Sequence, residues 1–220
     1  VAGGLLGTLL RGGVPKKYQT ALNQVLALCV LVIGVSGAIK TSNVLIVIVS
    51  AVVGTFIGEL LRIERGLDCL GEWAQARFAR GEGGFAEGFV NATLLFSVGA
   101  MAVVGSLEAG LRNDPDTLLA KSVIDAVSAV IFASTFGIGV VFSAIPLTIY
   151  QGGIAALSGV LAPFLTDALI NEMSAVGSLL IIGLSFNMLG MTKIKTANML
   201  PALLVPVLWS FLQPLFSGAA

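Results

Sequence analysis

Leu31-Val32-Ile33-Gly34-Val35-Ser36 recurs as Leu180-Ile181-Ile182-Gly183-Leu184-Ser185, an offset of 149 residues. The same offset carries Gly3-Gly4-Leu5 onto Gly152-Gly153-Ile154, with no gap between the two matches. Six residues are then inserted, and Ile39-Lys40-Thr41-Ser42-Asn43 is echoed by Ile194-Lys195-Thr196-Ala197-Asn198. A repeat of apolar segments on this scale predicts two pseudo-symmetric groups of membrane helices, the plan on which many solute carriers rock two halves around a central site.

Composition supports the membrane reading. Hydrophobic residues make up 56% of the 220 and charged ones 11%, and the mean hydropathy is +0.99. A soluble domain of this size cannot hide so much apolar surface. Twelve basic and twelve acidic residues cancel, so nothing points to nucleic acid as a partner; the bilayer and a small solute or ion are the partners expected. Histidine is absent, and Cys29 and Cys69 have no metal-ligand spacing, which argues against a zinc site, a histidine base or a disulfide framework. The chain starts without Met inside an apolar stretch too short to span, which predicts that the true N-terminus is missing.

A span needs about 20 apolar residues at a rise of about 1.5 Å each. After the truncated first helix, windows of that length fall at roughly 20–39, 44–61, 88–106, 119–136, 139–161, 170–189 and 197–213. The expected fold is therefore an all-α polytopic membrane protein of about eight helices, one transmembrane domain over 1–220. Repeat one covers 1–61, a cytoplasmic amphipathic loop 62–87, a central helix pair 88–136 and repeat two 139–213. The uncharged stretch 119–161 must be a tight hairpin turning near Gly137-Ile138-Gly139, or one span plus a re-entrant piece.

Basic residues set the orientation. Arg11, Lys16, Lys17, Arg62, Arg65, Arg77, Arg80, Lys193 and Lys195 fall on one side, against Lys40 and Arg112 on the other, so the nine mark the cytoplasm. Spans two and seven then run in opposite directions and the repeat is inverted; a single crossing of 119–161 would make it parallel. In the longest loop Ile63, Leu67, Leu70, Ala74 and Phe78 share a helical stripe beside Trp73, which reads as an interfacial helix tethering spans three and four.

Charges inside the bilayer cost about 2.5–3.5 kcal/mol each on insertion scales, so those that remain are functional candidates. Lys121 and Asp125 sit four apart on span five, and Ser128 and Thr135 extend that face. Two readings stay open: Asp125 binds a cation or proton with Lys121 as its switchable partner, or Lys121 snorkels outward and only neutralises Asp125. Span six carries Pro146 followed by Tyr150-Gln151-Gly152-Gly153, which predicts helical hydrogen bonding interrupted between Ile145 and Ile154, with Gln151 facing the interior. Gly3 and Gly4 occupy the matching place in span one, as in carriers whose site is built from two broken helices; a plain proline kink with packing glycines is the other reading.

Weaker signals complete the set. Asn91, Asn171, Glu172, Asn187 and Asn198 lie near span ends, where capping and interhelical hydrogen bonds compete with a binding role; Asn91 and Asn187 are kept as binding candidates. Glu59 is expected to pair with Arg62 at the surface. Gly54 and Gly58 form Gly-x-x-x-Gly, which permits close helix contact within the chain or across a homodimer. Asp167 and Asp114-Pro115-Asp116 read as helix starts. No nucleophile elbow or Walker loop is present, so no enzyme activity or cofactor is expected, and any transport runs on a gradient or through a channel.

Four strings in matching order resemble one family: Gly58-Glu59-Leu60-Leu61-Arg62-Ile63-Glu64, Gly81-Glu82-Gly83-Gly84-Phe85-Ala86-Glu87-Gly88-Phe89, Lys121-Ser122-Val123-Ile124-Asp125 and Phe132-Ala133-Ser134-Thr135-Phe136-Gly137-Ile138-Gly139-Val140. These are similar to the bacterial inner-membrane proteins grouped as domain of unknown function 554, or YqgA/YdfK-like. The resemblance implies a multi-pass protein of the bacterial plasma membrane and carries over no substrate or site residue. The function expected is secondary transport of a small polar solute or ion, proton- or cation-coupled; the alternative is a non-transporting scaffold or sensor.

Overall fold

The structure, a computed structural model, describes residues 1–11, 16–66, 84–97 and 100–210, with Cys69 and Trp73. The predicted amphipathic stripe of the 62–87 loop lies outside these residues except for Ile63; Trp73 beside it is exposed. The helices in order are α1 (Ala2–Arg11), α2 (Lys16–Ala38), α3 (Val44–Leu61), α4 (Phe85–Ser97), α5 (Ala100–Arg112), α6 (Asp116–Phe136), α7 (Gly139–Phe142), α8 (Ala144–Ala156), α9 (Ser158–Leu161), α10 (Asp167–Met188) and the 3-10 helix η1 (Thr196–Leu204). No strand occurs among the described residues.

Local chemistry sets several ends. Asn43 Oδ1 accepts from the Leu45 N–H at 3.1 Å and starts α3; Thr166 Oγ1 accepts from the Leu169 N–H at 3.3 Å and starts α10. Asp114 Oδ1 accepts from the Asp116 N–H at 3.1 Å, so the two Asp-marked starts fall where the sequence puts them. Gly137, at φ 78, ends α6 and turns the chain, a backbone state that favours glycine.

Val44–Leu61, Asp116–Phe136, Gly139–Ala156 and Asp167–Met188 are long and apolar enough to cross a membrane. A fifth crossing is counted if Phe85–Ser97 and Met101–Arg112, bent by 65°, form one span. Gln24–Ala38 and Thr196–Ser210 are shorter apolar helices. On α3, Leu45, Val52, Phe56 and Leu60 are exposed, an apolar surface that lipid solvates and water does not. The molecule is thus a helical membrane protein, whose membrane-length helices among the described residues number four or five where the sequence predicts eight.

Contacts give the helix directions. Ser185 Oγ donates to the Ala27 carbonyl at 2.9 Å, Gly34 packs on Ile182 and Gly37 on Ser178, and Thr41 reaches Glu172. Numbers rise on α2 as they fall toward the start of α10, so the two run antiparallel. In α3 and η1, Gly54 lies on Ala202, Gly58 on Asn198 and Glu59 on Lys195, again antiparallel. By contrast α1 lies parallel to α6, with Gly3 against Ala126 and Gly7 against Val130.

Two expectations are corrected here. Helix α8 is continuous from Ala144 to Ala156, with no interruption between Ile145 and Ile154; Pro146 falls in its first turn, where the missing N–H has no intrahelical acceptor anyway. The sharp break is in the 85–112 segment instead. Glu59 pairs with Lys195 at 2.9 Å rather than with Arg62. Of the two uses open to the Gly54/Gly58 pair, the structure shows the contact within the chain, against Ala202 and Asn198.

Candidate functional site

Helix α10 is the axis of the molecule, since two thirds of its best apolar window is buried. A cavity opens at each of its ends. The first, of about 490 Å³, is lined by Ser36 and Lys40 of α2 and the turn after it, by Lys121, Asp125 and Ser128 of α6, and by Asn171, Ser174 and Ser178 of α10. Lys121 donates to Asp125 Oδ2 in an ion pair one helical turn long. Lys121 is buried with its side chain 9% exposed, whereas the Asp125 carboxylate, at 25%, faces the cavity. The predicted face of Lys121, Asp125 and Ser128 is therefore assembled, but Thr135 lies outside the cavity and bonds the Ile131 carbonyl.

The second cavity, of about 250 Å³, lies at the other end of α10, lined by Glu64, Glu87, Asn91, Asn187, Met188 and Thr196 among others. Two of the sequence candidates, Asn91 and Asn187, meet here rather than beside Asp125. Asn187 is a positioning residue: its Nδ2 donates to the Ile194 carbonyl at 2.6 Å, and its Oδ1 accepts from the Ile194 N–H at 2.8 Å and from Thr192 Oγ1 at 2.9 Å. These bonds fix the loop that holds the six-residue insertion. At the opposite end the matching loop is fixed by Glu172, which accepts from Thr41 Oγ1 at 2.5 Å, the Ser42 N–H at 2.7 Å and the Asn43 N–H at 3.2 Å. Asn198 accepts from the Glu64 N–H at 2.6 Å.

Between the cavities the bundle is apolar. Leu26, Val30, Phe96, Phe132, Ile181 and Leu184 form one buried cluster, which reaches Leu95 at the floor of the first cavity and Met188 at the wall of the second. From Ile181, the last residue of α10 on the first cavity, to Asn187 on the second, this septum is about 9 Å thick by helical rise. Ser185, fully buried within it, is satisfied by the Ala27 carbonyl.

The helices that carry the two glycine pairs are not broken at them. Helix α1 is unbroken through Gly3 and Gly4; a methyl on Gly3 would overlap the Ala126 carbonyl, and one on Gly4 would meet Val141. Gly152 and Gly153 sit within continuous α8 and face open space. Gln151 does face the interior: its Nε2 is buried and has no hydrogen-bond partner among the described residues. It lines neither of the two cavities, and so stands apart from Asp125. A buried donor left unmade costs about 1–3 kcal/mol. Gln151→Met should accordingly raise the melting temperature of the purified protein; a drop of several degrees would mean that the amide has a partner in the membrane.

Sequence reasoning missed Lys40, Glu87 and Glu64 as cavity residues. For Glu87 the signal was present, since Glu87 and Asn91 are one turn apart on a helix.

The family described as "Protein of unknown function (DUF554)" matches residues 1–211. The "Uncharacterized membrane protein YdfK" of Bacillus subtilis (strain 168) is 30% identical over 210 residues, covering 94% of this chain and 89% of that protein. The "Uncharacterized protein YqgA" of Escherichia coli (strain K12) is 31% identical over 208 residues, covering 92% and 88%. No solved structure matches.

Proposed function

We propose, from the premise that this chain belongs to the DUF554 family, that it is a secondary transporter of a small polar solute or ion in the bacterial inner membrane. One observation carries the reading: two cavities, each with charged and polar side chains in its wall, open at opposite ends of α10, closed from each other by an apolar septum. That is the form expected of a carrier caught between its two open states, in which water reaches in from both sides and crosses from neither.

The inverted repeat fits the same proposal. The repeated pairs α2 and α10, and α3 and η1, run antiparallel, as two halves related by an axis in the membrane plane must. Eight crossings follow if α1, α2 and the Thr196–Ser210 helix are completed as spans. Orientation by basic residues places the Lys121 cavity outside and the Glu87 cavity toward the cytoplasm. Solute binds at the Lys121–Asp125 pair, where an ion pair that faces water can exchange partners with a polar or charged cargo.

Single cysteines placed in a background of Cys29→Ala and Cys69→Ala test this. Ser174→Cys should react with a membrane-impermeant thiol reagent added outside whole cells, and Thr196→Cys only from the cytoplasmic side of inverted vesicles. If both positions stay unreactive from both sides, the cavities hold no path for water and the carrier reading fails.

A further inference from the structure

We infer that the Glu87 cavity is a binding site for a hard cation, separate from the Lys121–Asp125 pair. Glu87 and Asn91 lie four apart on α4 and both line the cavity. Asn91 is only 7% exposed, and its side chain makes no hydrogen bond among the described residues, although a buried amide ordinarily has one. Its Oδ1 thus has no hydrogen-bond donor among the described residues and is left to the cavity. Thr196 brings a hydroxyl from the loop that Asn187 fixes, and Glu64 adds a second carboxylate to the wall. The donors are oxygens throughout, the set preferred by alkali and alkaline-earth ions over softer metals.

Charge separates the two cavities. Lys40 and Lys121 line the first together with Asp125, whereas no basic side chain is among the described residues lining the second. A carboxylate already closed on a lysine has little left to offer a cation; Glu87 has no such partner among the described residues. With the cytoplasmic orientation proposed above, an ion bound here exchanges with the cytosol.

The melting temperature of the full chain, purified in detergent, should be measured in sodium, potassium, magnesium and calcium chloride against choline chloride at matched ionic strength. At least one of the four should raise it by about 3 °C over choline, because an ion that binds only the folded state stabilises it. Glu87→Gln and Asn91→Leu should each remove the rise, and Asp125→Asn should keep it. No difference from choline, a rise that survives either cavity substitution, or one that disappears in Asp125→Asn overturns the inference. If Glu87→Gln does not fold, Asn91→Asp carries the test: the added carboxylate should enlarge the rise, and an unchanged or smaller one refutes the site. A cation that binds but accompanies no transport leaves this inference standing and counts against the carrier alone.

Discussion

Asp125→Asn should abolish transport and should cost more stability than Lys121→Met. The asymmetry comes from exposure: Lys121 is 9% exposed in its side chain and Asp125 25%. Removing Asp125 strands an ammonium in the protein, and breaking a buried pair in this way costs about 3–5 kcal/mol. Removing Lys121 leaves a carboxylate that faces the cavity and can be hydrated, a smaller loss. Detergent melts of the two variants would give the order directly, and the reverse order would show that Lys121, not Asp125, reaches water. The double substitution Lys121→Met, Asp125→Leu replaces both charges by apolar groups and should recover most of the stability. A stable but inactive double variant supports a role in transport; intact transport in it reduces the pair to a structural element.

The second large effect is expected at Gly58. A Cβ there would occupy the space of the Asn198 carbonyl, and one at Gly54 would overlap the Ala202 backbone. These atoms belong to the main chain and cannot turn aside as a side-chain end can. Gly58→Leu should therefore separate α3 from η1, lose the bond from the Glu64 N–H to Asn198 and leave little folded protein in the membrane. Gly152→Ala is the control, because its new methyl would meet nothing within 4 Å. Alanine is favoured over glycine in a helix interior by about 0.5–1 kcal/mol, so this variant should be as stable as the parent or more so, by fluorescence size-exclusion after heating. A folded Gly58→Leu protein would mean that the α3–η1 contact is looser than described. Loss of transport in stable Gly152→Ala would return that glycine to the site.

What the sequence determined by itself was whatever depends on neighbours along the chain. Hydropathy marked the long apolar helices, aspartates marked the starts at Asp116 and Asp167, and the spacing of four put Lys121 beside Asp125. The alignment of Leu31–Ser36 with Leu180–Ser185 picked out two helices that pack against each other. The tertiary structure alone decided what each face meets. Pro146 reads as a helix breaker until the helix is known to begin at Ala144, where a proline costs no hydrogen bond. Gly3, Gly4, Gly54 and Gly58 read equally as hinges, dimer contacts or packing positions until Ala126, Val141, Ala202 and Asn198 are seen against them. Asn91 and Asn187, remote from each other in the chain, line one cavity because antiparallel packing brings the end of α10 to the start of α4. A cavity is the space left by elements that fail to touch, and which elements those are is fixed by packing between residues far apart along the chain.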